Sequence, residues 1–109
     1  MISAPHRRVY ARKILRCPAS VVLPGGVARD VTTWDLGQDG LSVLSSKPIS
    51  PGSKCQVSFE LIAPHKTTQV TAQVKVVYCS FSGLNGFKVG MTFGDLDADT
   101  VGAIEEFAR

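Results

Sequence analysis

Residues 54–61 read Lys-Cys-Gln-Val-Ser-Phe-Glu-Leu. Successive side chains of an extended chain point to opposite faces. Cys55, Val57, Phe59 and Leu61 therefore share one face, and Lys54, Gln56, Ser58 and Glu60 share the other. An apolar face backed by a polar one is the pattern of a half-buried antiparallel strand. The same reading extends in both directions. Towards the C-terminus, residues 63–66 read as a turn. Residues 68–81 read as a long strand with Val70, Ala72, Val74 and Val76 on one face. Residues 82–86 turn again, and residues 87–93 form a last strand with Val89, Met91 and Phe93 inward. Towards the N-terminus, residues 45–52 carry two prolines and read as a loop, and residues 41–44 form a short strand. Gly37-Gln38-Asp39-Gly40 is a turn where glycine's tolerance of positive φ is expected to matter. Residues 27–36 are rich in β-branched side chains and close on Trp34 and Leu36, with Trp34 expected in the core. Residues 19–23 end at Pro24-Gly25-Gly26, a strong turn signal. Six short strands joined by tight turns predict a closed six-stranded antiparallel β-barrel.

The C-terminal end changes period. Asp97 or Asp99 can cap a helix there, and Val101, Ile104 and Phe107 or Ala108 form an apolar stripe. The fold class is therefore all-β with a C-terminal helix. The 109 residues make a single domain. They divide into an N-terminal arm over residues 1–16, a barrel over residues 17–95 and the helix over residues 96–109.

Composition narrows the function. With 44% hydrophobic and 19% charged residues and no low-complexity tract, the chain is expected to fold. Its apolar runs are far too short to span a bilayer as a helix, and no apolar run follows the charged N-terminus, so neither membrane insertion nor secretion is expected. Cys17, Cys55 and Cys79 are odd in number and lack CxxC spacing, which argues against disulfides and zinc and fits a reducing, cytoplasmic setting. His6 and His65 lie in no metal-binding pattern, so no metal or cofactor is expected. No nucleophile–base pair or phosphate-cradling loop appears, so an enzyme is not expected. The charge of +3 is unevenly placed. Residues 7–16 hold five of the twelve Lys/Arg (Arg7, Arg8, Arg12, Lys13 and Arg16) and no acid. The remainder carries a net −2, so an anionic partner should go to the arm.

Two segments stand out together: Arg7-Arg8-Val9-Tyr10-Ala11-Arg12 ahead of the first strand, and Asp35-Leu36-Gly37-Gln38-Asp39-Gly40 at a turn. Each alone is weak, an arginine run being usually a solvated arm and a DxGxxG turn usually just a hairpin. In this order and at this spacing they resemble the PilZ domain, which carries RxxxR on an arm before a six-stranded split-type barrel and [DN]xSxxG some twenty residues later. Arg8 and Arg12 match the first motif and Arg7 completes its RRxxxR form. Asp35 and Gly40 match the ends of the second, and Gly90-Met91-Thr92-Phe93 resembles the family's closing strand.

The resemblance implies a bacterial second-messenger receptor that binds cyclic di-GMP and changes its surface. A partner in motility, secretion or polysaccharide production would read that change. It also implies a ligand-binding set of Arg7, Arg8, Arg12, Asp35, Gly37 and Gly40. The chemistry agrees. A guanidinium fork suits phosphate oxygens or the O6/N7 edge of guanine, and its face stacks on the base. A carboxylate accepts from the donor edge of guanine. Gly40 is expected to serve turn geometry only. Gly37 stands where the family has serine, which removes one hydroxyl. A neutral hydrogen bond contributes about 0.5–1.5 kcal/mol, so binding is expected to weaken by up to about tenfold and to survive. Residues 1–16 are expected to be mobile without ligand and ordered with it.

The rival to this reading is a PilZ-like adaptor that no longer binds nucleotide. DNA or RNA binding is not expected, because the barrel body is slightly acidic and its strands offer no aromatic stacking platform.

Overall fold

The computed structural model describes residues 11–109. Seven strands, β1 (Arg12–Ile14), β2 (Pro18–Val22), β3 (Ala28–Gly37), β4 (Gly40–Ser45), β5 (Lys54–Ile62), β6 (Thr67–Phe81) and β7 (Phe87–Phe93), precede one helix, α1 (Ala98–Ala108). Every pairing is antiparallel. The hydrogen-bonded order is β1-β3-β2-β5-β6-β7-β4, and β4 returns to pair with β3. Strands β2 to β7 therefore close a six-stranded barrel, as the alternation predicts.

The first strand is broken. β1 and β2 lie end to end along one edge of β3, with Arg12–Ile14 opposite Gly37–Asp35 and Pro18–Val22 opposite Thr32–Ala28. The step between them is held by Thr33, whose side chain is fully buried. Its Oγ1 donates to the Leu15 carbonyl at 2.6 Å and accepts from the Cys17 N–H at 2.9 Å. A buried hydroxyl is tolerated only when it is paired, and the irregular step supplies the partners. The Leu15 N–H donates to the Trp34 carbonyl, which carries the pairing through the break. Residues 12–14 are already strand, while residues 1–10 lie outside the described residues.

The core is the inward face that the sequence pattern marks. Val21, Val31, Leu36, Leu41, Val43, Cys55, Val57, Phe59, Leu61, Val70, Ala72, Val74, Val76, Val89 and Met91 are buried together. Each fully buried aliphatic side chain contributes about 1.5–3 kcal/mol relative to exposure. All three cysteines are free, and burial pushes the Cys55 thiol above its ordinary value.

The helix differs in detail from its expectation. Asp97 is the cap, accepting from the Thr100 N–H at 2.8 Å, and this bond holds its carboxyl below the usual range. Thr100 and Ile104 are buried and Ala103 and Phe107 pack on the core, whereas Val101 is partly exposed. The buried stripe thus runs i, i+3, i+4, i+7 from Thr100, keeping Ile104 and Phe107 of the expected line and replacing Val101 with Thr100 and Ala103. The last turn of α1 has no basic residue of its own. The Lys13 ammonium of β1 instead donates to the Arg109 carbonyl, placing positive charge at the negative end of the helix.

Candidate functional site

Two bulges position the candidate site. In β3, Thr33 pairs with Val43 but Asp35 pairs with Ser42, so Trp34 is an extra residue. In β6, Val76 pairs with Met91 but Tyr78 pairs with Gly90, so Val77 is extra. Strict alternation from Val31 and Thr33 would send Asp35 into the core, and alternation from Val74 and Val76 would do the same to Tyr78. Each bulge shifts the phase by one residue and turns the following side chain outward. Because Ser42 also pairs with Gly90, Asp35, Ser42, Gly90 and Tyr78 form one outward row across β3, β4, β7 and β6. The row spans three strand spacings, roughly 14 Å.

The row is packed. Ser42 lies between the inward Leu41 and Val43 and so points outward, yet it is fully covered. Its hydroxyl lies 3.4 Å from that of Tyr78. A Cβ on Gly90 would meet the Tyr78 ring at 2.1 Å, so the ring lies directly over that glycine. The expectation for Trp34 is corrected as well, because the alternation set by the inward Val31 and Thr33 faces residue 34 outward. Trp34 is outside the core, and the Arg16 guanidinium sits 3.3 Å from its ring centroid as a cation–π pair.

At the Asp35 end, Arg12 reaches over from β1. Its Nη1 donates to Asp35 Oδ1 and its Nε to Asp39 Oδ1, each at 3.0 Å. The Arg12 and Asp35 side chains are only 10% and 14% exposed, and that of Asp39 is 30% exposed. Of the expected set, then, Arg12, Asp35, Gly37 and Gly40 are brought to one place, and Arg7 and Arg8 lie outside the described residues.

Both glycines act through close approach. Neither has positive φ, which corrects the turn-geometry expectation. A Cβ on Gly37 would lie 2.7 Å from the Ala11 carbonyl oxygen and 2.7 Å from Arg12 Cδ. One on Gly40 would lie 2.0 Å from the Met91 carbonyl oxygen. Gly37 seats the arm, and Gly40 lets β4 press against β7.

Asp39, Ser42 and Tyr78 escaped the sequence reading. Asp39 could have been noticed as a second acid in the turn motif. Tyr78 was hidden because its outward direction depends on the bulge. A recess of about 550 Å3 between residues 61–68 and α1 contains none of the site residues. Among the described residues, no group of His, Cys, Asp and Glu could hold a metal ion, and no helix is long and apolar enough to cross a membrane.

The structure is thus a six-stranded barrel with a C-terminal helix and a basic strand folded over an acidic turn. The chain belongs to the PilZ domain family, whose model matches residues 6–109. Among solved structures it is similar to the Bacillus subtilis inhibitor of motility MotI/DgrA, with a TM-score of 0.81, 14% identity, and 94% of this chain and 50% of that one covered. It is also similar to Borreliella burgdorferi PlzA in complex with c-di-GMP, with a TM-score of 0.73, 18% identity, and 95% and 42% covered. The PilZ domain with c-di-GMP of YcgR from Escherichia coli matches with a TM-score of 0.67, 14% identity, and 94% and 89% covered. The chain thus spans half or less of the first two proteins and most of the third. Among curated proteins, no relative matches.

Proposed function

We propose that this chain is a non-enzymatic receptor for cyclic di-GMP. In this reading it works in the bacterial cytoplasm and regulates a protein partner in motility, secretion or polysaccharide production. The observation that carries the reading is the Arg12–Asp35 pair, which joins the two motif segments on one outer face of the barrel. Arg12, with Arg7 and Arg8, takes the phosphodiesters and the guanine O6/N7 edges. Asp35 has two oxygens and about four acceptor sites, so it can hold Arg12 and still accept from guanine N1–H and N2–H₂. Tyr78 offers an aromatic face at the other end of the row. The c-di-GMP complexes of PlzA and YcgR, which share this fold, support the ligand class.

Calorimetry with cyclic di-GMP, with cyclic di-AMP as control, tests the reading. The wild type should bind the guanine ligand and not the adenine one. Arg8→Ala and Arg12→Ala should each lose detectable binding while keeping a cooperative melt, and Asp35→Ala should weaken it. Wild-type affinity in Arg12→Ala would refute the site.

One observation favours the rival adaptor reading. Gly37 replaces the family's serine, and the arm rests directly on it. A surface that binds protein without nucleotide would show as a folded wild type with no heat of binding.

A further inference from the structure

Asp39 belongs to neither matching position of the turn motif, yet it holds Arg12 as closely as Asp35 does. It sits in the two-residue link between β3 and β4. Its backbone is anchored, because the Phe93 N–H at the end of β7 donates to the Asp39 carbonyl at 3.0 Å. The carboxylate is therefore presented from a fixed point. Arg12 reaches it only by lying flat on β3. That path exists because Gly37 has no Cβ, which would stand 2.7 Å from Arg12 Cδ and 3.2 Å from Nε. Two independent features thus hold the Arg12 fork in an internal ion pair: an acceptor at 39 and an empty seat at 37.

We propose that Asp39 is an affinity-determining residue. Its carboxylate occupies Arg12 Nε in the free protein, in the place of a ligand phosphodiester oxygen, and must be displaced before the ligand can take that donor. The proposal rests on the cyclic di-GMP reading above and deepens it. Arg12 has five N–H donors, and the bonds to Asp35 and Asp39 use two of them. The two acids play different roles. Asp35 holds Nη1 and sets the position of the fork. Asp39 holds Nε, and its negative charge opposes an incoming phosphodiester. The Arg12–Asp39 pair is part-exposed, so its displacement weakens binding by the amount typical of such pairs, about two- to fivefold.

The test uses the full chain with two neutral replacements, Asp39→Asn and Asp39→Ser, each checked by thermal melting. Cyclic di-GMP affinity is measured by calorimetry. Exchange of the Arg12 Nε–H proton is followed by nitrogen-15 NMR without ligand. Both variants should bind about two- to fivefold more tightly than the wild type, and the Arg12 Nε–H should exchange faster in both. Asp30→Asn, the same charge change on β3 but away from Arg12, should alter neither quantity. Equal affinity in the wild type and both variants would overturn the proposal while leaving the receptor reading intact. Tighter binding with unchanged Arg12 exchange would also overturn it, because plain charge relief would then suffice. No binding by any of these proteins, even with Arg12 released, would overturn the receptor reading and the role of Asp39 together.

Discussion

At the scale of single residues, the two motif glycines are decided by what lies above them. Gly40 is closed on by the backbone of β7, with the Met91 carbonyl oxygen 2.0 Å from where a Cβ would be. Backbone in the middle of a paired strand cannot yield as a side-chain tip can. Gly40→Ala should therefore lower stability by about 1–3 kcal/mol, read as a lower urea midpoint. Gly37 is closed on by the arm, which has more room to move. Gly37→Ser must lift Ala11 and Arg12 and also restores a hydroxyl beside the ligand position. It should bind cyclic di-GMP more tightly, by up to about tenfold, while the pairing of Arg12–Ile14 loosens. Unchanged or weaker binding by calorimetry would show that the glycine is needed as the seat of the arm.

At the scale of elements, the helix is set by its cap and its buried stripe. The Asp97 carboxylate accepts from the Thr100 N–H, and that bond depresses its pKa below the ordinary 3.8. A depressed carboxylate contributes stability that is fully present above the unfolded-state value and is lost as pH falls through the lower folded value. Asp97→Ala should therefore melt at a lower temperature than the wild type at neutral pH. The gap should begin to narrow as pH drops below about 4 and go on narrowing as pH falls through the lower folded value. A gap that persists undiminished in strong acid would locate the effect elsewhere than in the carboxylate. The bulges are the other decisive elements. If Trp34 and Val77 were paired in regular alternation instead of bulged, Asp35 and Tyr78 would face the core, and no outward row would exist.

At the scale of the whole molecule, barrel closure and arm placement are one problem. The β1–β2 strand must close the sheet against β5 with its β2 half and deliver Arg12 to the acidic turn with its β1 half. The break at residues 15–17, pinned by Thr33, lets one chain segment do both. Amide exchange should reflect this. The Leu15 N–H, bonded to the Trp34 carbonyl at 3.1 Å, should be protected without ligand, though less than the amides of residues 70–77 in the barrel wall. Rapid exchange at Leu15 in the free protein would mean that the strand does not persist in solution, and that the internal ion pair of Arg12 does not persist with it.

The sequence by itself determined the barrel, its six strands and most of its core. Alternation in residues 54–61, 70–76 and 87–93 is a local property, dictated by which side chains leave water. It also exposed the two motif segments, because arginine spacing and turn composition are visible in one dimension. Only the tertiary structure decided which side chains face the site. A bulge is one residue in excess of its partner strand, so it exists only as a relation between two strands and leaves no mark in either alone. The same holds for Gly37 and Gly40, whose roles come from backbone far along the chain pressing on them. Asp39 became visible as a partner of Arg12 once β1 was laid along β3, since twenty-seven positions separate the two residues.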